Sequence, residues 1–421
     1  MKTNKKTTIW TKNFCLVTLA TILGAVGGIA GGFALSFLVF DETGSTLASA
    51  LVISIQLVPY VVFPFVLAPW MDRLPRKHFL VGGDLCNGII YILMGIYLLH
   101  YKFSYVGYLG VSLFLACLGS VDELAYNSIF PSVIPKGLEQ KGYAVSSMLY
   151  PVLKVVLMPL AAVLLEVLGV AVLLILQGVL SIMAAFTESF LQLPRKVSEN
   201  TEVLKAPEVY TFKMWWKDIK EAGNYLKQER GLLSIYEYMA VTNGIASGYA
   251  PILVAFFRTM PGMTAMMYSL FSVAEFFGRS VGSIVQYRME IPKKKRFGVV
   301  FGIYQIYEIM DMCLLWLPYP CMLLNRGLCG FLGNNSAILR NAAVQRYIPE
   351  HMRSRINAFD GILFTISSSI CSLAEGLLGE IVDYRLCVTL CGIIAMAACW
   401  WLIGSRNKEV RKIYEYDSFS D

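Results

Sequence analysis

Two acidic residues, Glu308 and Asp311, interrupt an apolar segment that runs from residue 297 to residue 317. At a rise of about 1.5 Å per residue, a helix would carry them about 16 and 21 Å into a membrane. Three positions apart, they share a helix face, where like charges repel and one carboxyl would hold a proton more readily. Ionisable groups at such depth are costly unless paired or hydrated, so they indicate a coupling or substrate site. The alternative is that Arg326, or protonation of the pair, neutralises them without any such role.

Lys154 lies near the middle of another apolar segment, residues 143–166. A lysine exposed to lipid at that depth is rare, so we expect its side chain to face the protein interior. It would either contact an anionic solute or pair with Glu308 or Asp311. Such a pair would join the two halves of the chain through a contact that a solute can break.

The remaining charges in apolar segments suggest pairs. Glu275 and Arg279 are four residues apart, the spacing at which an acid and a base meet on one helix. Glu375 and Arg326 both fall in the outer third of their segments and could pair near the extracellular side. The predicted coupling or substrate-binding residues are Glu308, Asp311, Lys154, Glu275, Arg326 and Glu375.

Catalytic and metal chemistry have little support in this sequence. The three histidines, His78, His100 and His351, lie in connectors, and the ten cysteines are scattered without a CxxC pair. No G-x-x-x-x-G-K-[ST] loop is present, which excludes a pump that hydrolyses ATP with this chain alone. We therefore predict no catalytic residue, no metal, no cofactor and no enzyme activity.

Twelve apolar segments must position these charges, each near the roughly 20 residues that cross a bilayer as a helix. They cover residues 14–40, 47–70, 79–100, 104–127, 143–166, 170–193, 232–258, 262–286, 297–317, 319–342, 356–379 and 383–404. Lys and Arg fall almost entirely in every second connector, which predicts that both termini are cytoplasmic. The net charge of +7 fits loops that face anionic lipid, so nucleic acid is not an expected partner.

The pattern predicts an all-α membrane protein with twelve transmembrane helices in two six-helix bundles. A short motif recurs at a constant offset in the two halves, as Asn127, Pro135 and Ala144 and again as Asn341, Pro349 and Ala358. With six segments per half, this indicates a parallel pseudo-two-fold repeat, and chance similarity is the alternative. The predicted domains are an N-terminal bundle (1–193), a linker with an amphipathic helix along the cytoplasmic interface (194–231), a C-terminal bundle (232–404) and a cytoplasmic tail (405–421).

The connector after the second segment reads Ala68-Pro-Trp-Met-Asp72-Arg73-Leu-Pro75-Arg76-Lys77. It resembles the signature loop of the major facilitator superfamily, in which an acid and a basic residue precede two further basic residues. The run 41–45, Asp84 and the connector 131–135 resemble, more narrowly, macrolide-efflux and siderophore-export permeases. Pro75 departs from the family pattern, which has glycine before the basic pair.

The resemblance implies a gate at the cytoplasmic mouth. Asp72 and Arg73 would hold that side closed in the outward-facing state, with Arg76 in the same loop and Asp122 and Glu123 as acidic partners. The alternative is that the basic residues of this loop only anchor it on the cytoplasmic side.

The resemblance also implies secondary active transport of a small amphipathic solute by alternating access, as proton-coupled export across a bacterial cytoplasmic membrane. Import of a nutrient or metabolite and movement of a lipid or lysolipid remain open alternatives. The expected partners are the solute, membrane lipid and protons, and we expect a monomer.

Overall fold

The computed structural model describes residues 8–71, 76–135, 138–192, 212–288 and 291–416. Within these ranges every regular element is a helix, and no strand occurs. The chain divides into two compact units, Met1–Glu42 with Ile55–Thr211 and Thr43–Ser54 with Phe212–Asp421. The prediction of an all-α membrane fold is confirmed.

The helices that contribute to the first unit are α1 (Lys12–Thr43), α2 (Thr46–Met71), α3 (Arg76–His100), α4 (Tyr105–Val133) and α5 (Glu139–Ser189). The opening turns of α2 cluster with the second unit. Helix α5 holds two predicted spans, because Gly169 breaks it with φ 75° and ψ 170°. A positive φ is readily available only to glycine, so this residue lets two spans follow each other without a loop.

The second unit begins with α6 (Phe212–Gln228) and continues with α7 (Arg230–Thr259), α8 (Ala265–Arg288), α9 (Lys293–Cys313), α10 (Tyr319–Tyr347), α11 (Arg353–Ile381), α12 (Tyr384–Ala398) and α13 (Asn407–Glu415). A 3-10 turn extends α9 through Leu314–Trp316, and a π-helical turn extends α12 through Cys399–Gly404. These helices match the six spans predicted for this half.

Eight stretches in the described part of the chain are long and apolar enough to cross a membrane, and one of them contains both arms of α5. Helices α8 and α10 are not among these eight. Charged and amide side chains lower their hydropathy, since α8 carries Glu275 and Arg279 while α10 carries Arg326, Arg340 and several asparagines. These two helices bring Glu275, Arg279, Arg326 and Arg340 into the second unit.

Small residues let helices approach closely. In the second unit, a Cβ on Gly278 of α8 would meet the carbonyl oxygen of Gly327 on α10, and a Cβ on Gly330 would meet that of Glu275. In the first unit, Gly88 of α3 faces the carbonyl of Gly178 on α5. Such glycine contacts are typical of membrane helices, where van der Waals packing replaces the hydrophobic driving force.

The two short amphipathic helices both pack into the second unit. Ala222 and Leu226 of α6 are fully buried in a core cluster that also contains Val410 and Tyr414 of α13. Burial, together with the neighbouring Tyr304 hydroxyl, raises the pKa of Tyr414 well above its ordinary value. The predicted linker and tail thus both contribute apolar side chains to a core, and their position relative to a membrane stays a prediction.

Candidate functional site

A cavity of about 260 Å³ lies within the second unit, between α7, α8, α9 and α10. Its lining mixes aromatic, amide and charged side chains, including Tyr238, Asn243, Tyr249, Arg279, Tyr304, Tyr307, Glu308, Asp311 and Arg340. Both acids that the sequence singled out therefore border one cavity.

Glu308 is buried in α9, with only 4% of its surface exposed. Its Oε1 accepts a hydrogen bond of 3.1 Å from the Tyr238 hydroxyl of α7. Among the described residues, Glu308 has no ion-pair partner. A buried carboxylate held only by a neutral hydroxyl is poorly compensated, so a proton or a cationic solute could neutralise it.

Asp311, one helical turn further along α9, has a different environment. Its Oδ1 lies 3.2 Å from Nη1 of Arg326 on α10, and both side chains are largely buried. The Sγ of Cys329 lies 3.9 Å from the same oxygen. The guanidinium compensates the charge of Asp311, so the two neighbouring acids differ in what neutralises them.

Arg326 also extends the charged network to α8. Its Nε lies 3.7 Å from Oε2 of Glu275, and Oε1 of Glu275 lies 2.6 Å from Nη2 of Arg279. The network therefore alternates acid and base from Asp311 to Arg279. The predicted pair within α8 is present, and the close approach of α8 and α10 at Gly330 brings Arg326 within reach of it.

Glu375 does not pair with Arg326, which corrects the expectation drawn from their depth. Arg326 contacts Asp311 and Glu275 instead, and both oxygens of Glu375 are buried without a hydrogen-bond partner in the described part of the chain. Depth along a span does not determine the direction in which a side chain points, because each helix can rotate about its own axis.

The first unit contains the other predicted residues. Lys154 lies on the first arm of α5 with an exposed side chain. On α4, Glu123 is exposed, whereas Asp122 is partly buried and its Oδ1 has no hydrogen-bond partner among the described residues. Arg76 begins α3, and Asp72 and Arg73 lie outside the described residues. The predicted gating contacts therefore stay a prediction.

Sequence reasoning missed three contributors to the site. It assigned no role to Tyr238 or Tyr249, since tyrosine is also common at membrane interfaces. It assigned none to Arg340, which lines both the first cavity and a neighbouring one of about 260 Å³ that also contains Asp360. An arginine inside an apolar segment was the available signal for the last of these.

The described residues contain no group of three or more His, Cys, Asp or Glu side chains that could hold a metal ion. What they do offer is a set of buried acids, two arginines and several hydroxyls around a small cavity. This arrangement suits reversible binding of a proton or a small polar or charged group.

Comparison with known proteins assigns the chain to a family. The sequence profile of the Major Facilitator Superfamily matches residues 16–307, which is more than half of the chain. No curated protein sequence matches.

Solved structures with a similar fold include several transporters. The nucleoside transporter NupG has a TM-score of 0.67 at 12% identity, covering 97% of this chain and 100% of that chain. A POT family transporter in complex with 5-aminolevulinic acid has a TM-score of 0.69 at 10% identity, covering 94% and 96%. A bacterial homolog of the human lysosomal transporter Spinster, in an inward-facing and occupied conformation, has a TM-score of 0.63 at 12% identity. The match covers 96% of this chain and 92% of that chain. At these identities the likeness concerns the fold. The chain belongs to the major facilitator superfamily, as a multi-pass membrane transporter and not an enzyme.

Proposed function

We propose that the protein is a secondary active transporter that exports a small amphipathic solute in exchange for protons, by alternating access. The observation that carries this proposal is the contrast between Glu308 and Asp311. Asp311 has a guanidinium partner, whereas Glu308 borders the same cavity with only the Tyr238 hydroxyl as a donor.

This contrast supports coupling for a physical reason. The free energy of a buried carboxylate differs strongly between its charged and its neutral state. The species that binds the carboxylate therefore decides which state of the site is stable. A proton and a cationic group on the solute would compete for Glu308, and each would favour a different state of the site. Exchange of one for the other is the basis of antiport, and it favours a solute that combines a cationic group with an apolar body.

Further features of the proposal rest on the sequence. The loop with Asp72, Arg73 and Arg76 would gate the cytoplasmic side with Asp122 and Glu123, and Lys154 would face the solute path. The basic connectors support an orientation with both termini in the cytoplasm, and the resemblance to bacterial export permeases favours a bacterial cytoplasmic membrane. The narrower resemblance to macrolide-efflux and siderophore-export permeases favours export. Import of a nutrient and movement of a lipid are the rival functions.

The test uses everted membrane vesicles whose lumen has been acidified by respiration, with a pH-sensitive dye inside. Two cationic amphipathic probes, erythromycin and ethidium, are added in turn. We expect proton release from the lumen with the wild-type protein and its loss with Glu308→Gln. Glu237→Gln is the control, because Glu237 is a half-exposed acid of α7 near Arg406.

Three results would contradict the proposal. Proton release by Glu308→Gln at the wild-type rate would remove Glu308 from coupling. Movement of the probe in the same direction as the proton would favour import. Failure of both probes, together with movement of a fluorescent lysolipid, would favour the lipid alternative.

A further inference from the structure

A cluster of four buried oxygen atoms in the second unit lacks hydrogen-bond partners in the part of the chain that the structure describes. The atoms are both carboxyl oxygens of Glu375, Oγ of Ser372 and the hydroxyl of Tyr249. Their residues are 4%, 0% and 3% exposed. Buried polar atoms in folded proteins are nearly always paired, so a group of them points to an occupant such as a proton or water.

Among the residues that the structure describes, no Lys, Arg or His pairs with Glu375. Tyr249 faces it from α7, Cys391 and Cys387 face it from α12, and Cys371 lies one turn away on α11 itself. The opening turns of α2, residues 46–54, pack on the same helix and contain no ionisable side chain. Gly248 leaves room for the carboxyl, since a Cβ at that position would overlap it. An anion in this setting would be uncompensated, which strongly favours the neutral acid.

Glu380 shows that the same helix can also hold an anion. Its Oε1 accepts hydrogen bonds from Oγ of Ser45 at 2.6 Å, from the backbone N–H of Leu47 at 3.0 Å and from Oγ1 of Thr46 at 3.3 Å. Several donors on one carboxylate favour its charged form. Two glutamates on α11 therefore have opposite environments, and Glu380 is a matched control for Glu375.

Tyr249 connects this cluster with the cavity. Its side chain lines the cavity together with Glu308 and Asp311. The residue before it, Gly248, lies against the carboxyl of Glu375. This turn of α7 thus adjoins both Glu375 and the cavity of the candidate site.

We propose that Glu375 carries a proton in this conformation and forms a second proton-binding site, connected to Glu308 through Tyr249. The Tyr249 hydroxyl bonds to neither acid in this conformation, so in a transfer water relays the proton of Glu375 past that hydroxyl to the carboxylate of Glu308. The tyrosine is unchanged and Glu375 becomes the anion, so one proton has moved. The protonation of Glu375 stands on the structure alone, and its use in coupling rests on the proposed function.

Infrared spectroscopy of the purified protein at neutral pH tests the protonation, through the C=O stretch of a protonated carboxyl and its shift in D2O. We expect Glu375→Gln to remove one such band and Glu380→Gln to leave it. An unchanged band in Glu375→Gln would overturn the proposal. Glutamine is the neutral isostere, so failure of Glu375→Gln to fold, while Glu380→Gln folds, would also overturn it.

A second measurement tests coupling. It determines the membrane potential at which net solute movement across the proteoliposome membrane reverses, because that potential depends on the number of protons moved per solute. We expect Glu375→Gln and Tyr249→Phe to lower the number of protons moved per solute, with erythromycin as the probe. An unchanged number in both would overturn the role of Glu375 in coupling. Full activity of Glu308→Gln would contradict the proposed function and leave the infrared result intact, so the two failures are distinguishable.

Discussion

The Tyr238 hydroxyl of α7 donates a hydrogen bond of 3.1 Å to Oε1 of Glu308 on α9. Both side chains are buried beside the same cavity. The donor stabilises the charged carboxylate, but as a neutral group it does so less than a cation would. Tyr238 therefore positions Glu308 and influences how readily that carboxyl gains and loses its proton.

Replacing Tyr238 by phenylalanine tests this relationship. Without the hydroxyl, the protonated form of Glu308 is favoured, so we expect the pH midpoint of solute-driven proton release to move upward. The lost hydrogen bond should lower stability by about 1 kcal/mol. The measurements are the pH profile in everted vesicles and thermal unfolding in detergent. Tyr150→Phe is the control, since Tyr150 is exposed. An unmoved midpoint would show that the hydroxyl does not influence Glu308.

The pair of Asp311 and Arg326 predicts strong non-additivity. Arg326→Gln leaves a buried carboxylate without its cation, which should cost about 3 kcal/mol. Asp311→Asn leaves Arg326 with Glu275 only, at 3.7 Å. The double variant removes both charges and should lose much less than the sum of the two single variants. Thermal unfolding of the four proteins measures this coupling, and additive losses would mean that the pair is not energetically coupled.

The crossing of α8 and α10 predicts a specific glycine effect. A methyl group at Gly330 would overlap the carbonyl oxygen of Glu275, so Gly330→Ala should destabilise the protein by about 2 kcal/mol. Gly302 of α9 has no atom within 4 Å of an added Cβ, so Gly302→Ala is the matched control. Its change should stay within about 0.5 kcal/mol. Equal melting temperatures for the two variants would argue against this helix contact.

Arg355 of α11 forms ion pairs with two acids of α6. Its Nε lies 3.0 Å from Oδ1 of Asp218, and its Nη1 lies 2.6 Å from Oε2 of Glu221. We expect Arg355→Ala to increase hydrogen exchange of the backbone amides in 212–228, while the rest of the unit is unchanged. The energy is modest, about 1 kcal/mol, because the pairs are half-exposed. Lys217→Ala is the control, since Lys217 is 76% exposed and lies 3.8 Å from Glu221. Equal exchange in both variants would mean that apolar packing alone holds α6.

Hydropathy and basic connectors predicted the spans well, because a bilayer demands long apolar helices whatever the details of their packing. The segment 232–258, for example, matches Arg230–Thr259. The partners of the buried charges were harder to predict. The sequence offered Arg326 both as a partner of Glu375 and as a cation that neutralises Glu308 and Asp311. Its pairing with Asp311 and Glu275 depends on how the helices rotate and on glycine contacts, which the sequence does not show.

The short helices show a second limit of sequence reasoning. Helix α6 was predicted to lie along the cytoplasmic interface, and the sequence did not indicate that its Ala222 and Leu226 pack into the core of the second unit. An amphipathic pattern indicates that the apolar face of the helix is shielded from water. Both lipid and protein can shield it, so the pattern does not distinguish between them. The tail was predicted only as a tail, and the burial of Val410, Ile413 and Tyr414 depends on partners distant in sequence.

The packing of α13 has a practical consequence for anyone who fuses a fluorescent reporter to this protein. A reporter fused directly after residue 405 would remove α13 and with it Tyr414, whose hydroxyl lies 3.3 Å from that of Tyr304. Its fluorescence would then report on a protein whose second unit lacks the core side chains of α13. When it is fused after Tyr416, the same reporter leaves α13 in place, and its fluorescence reports on a protein with this core complete.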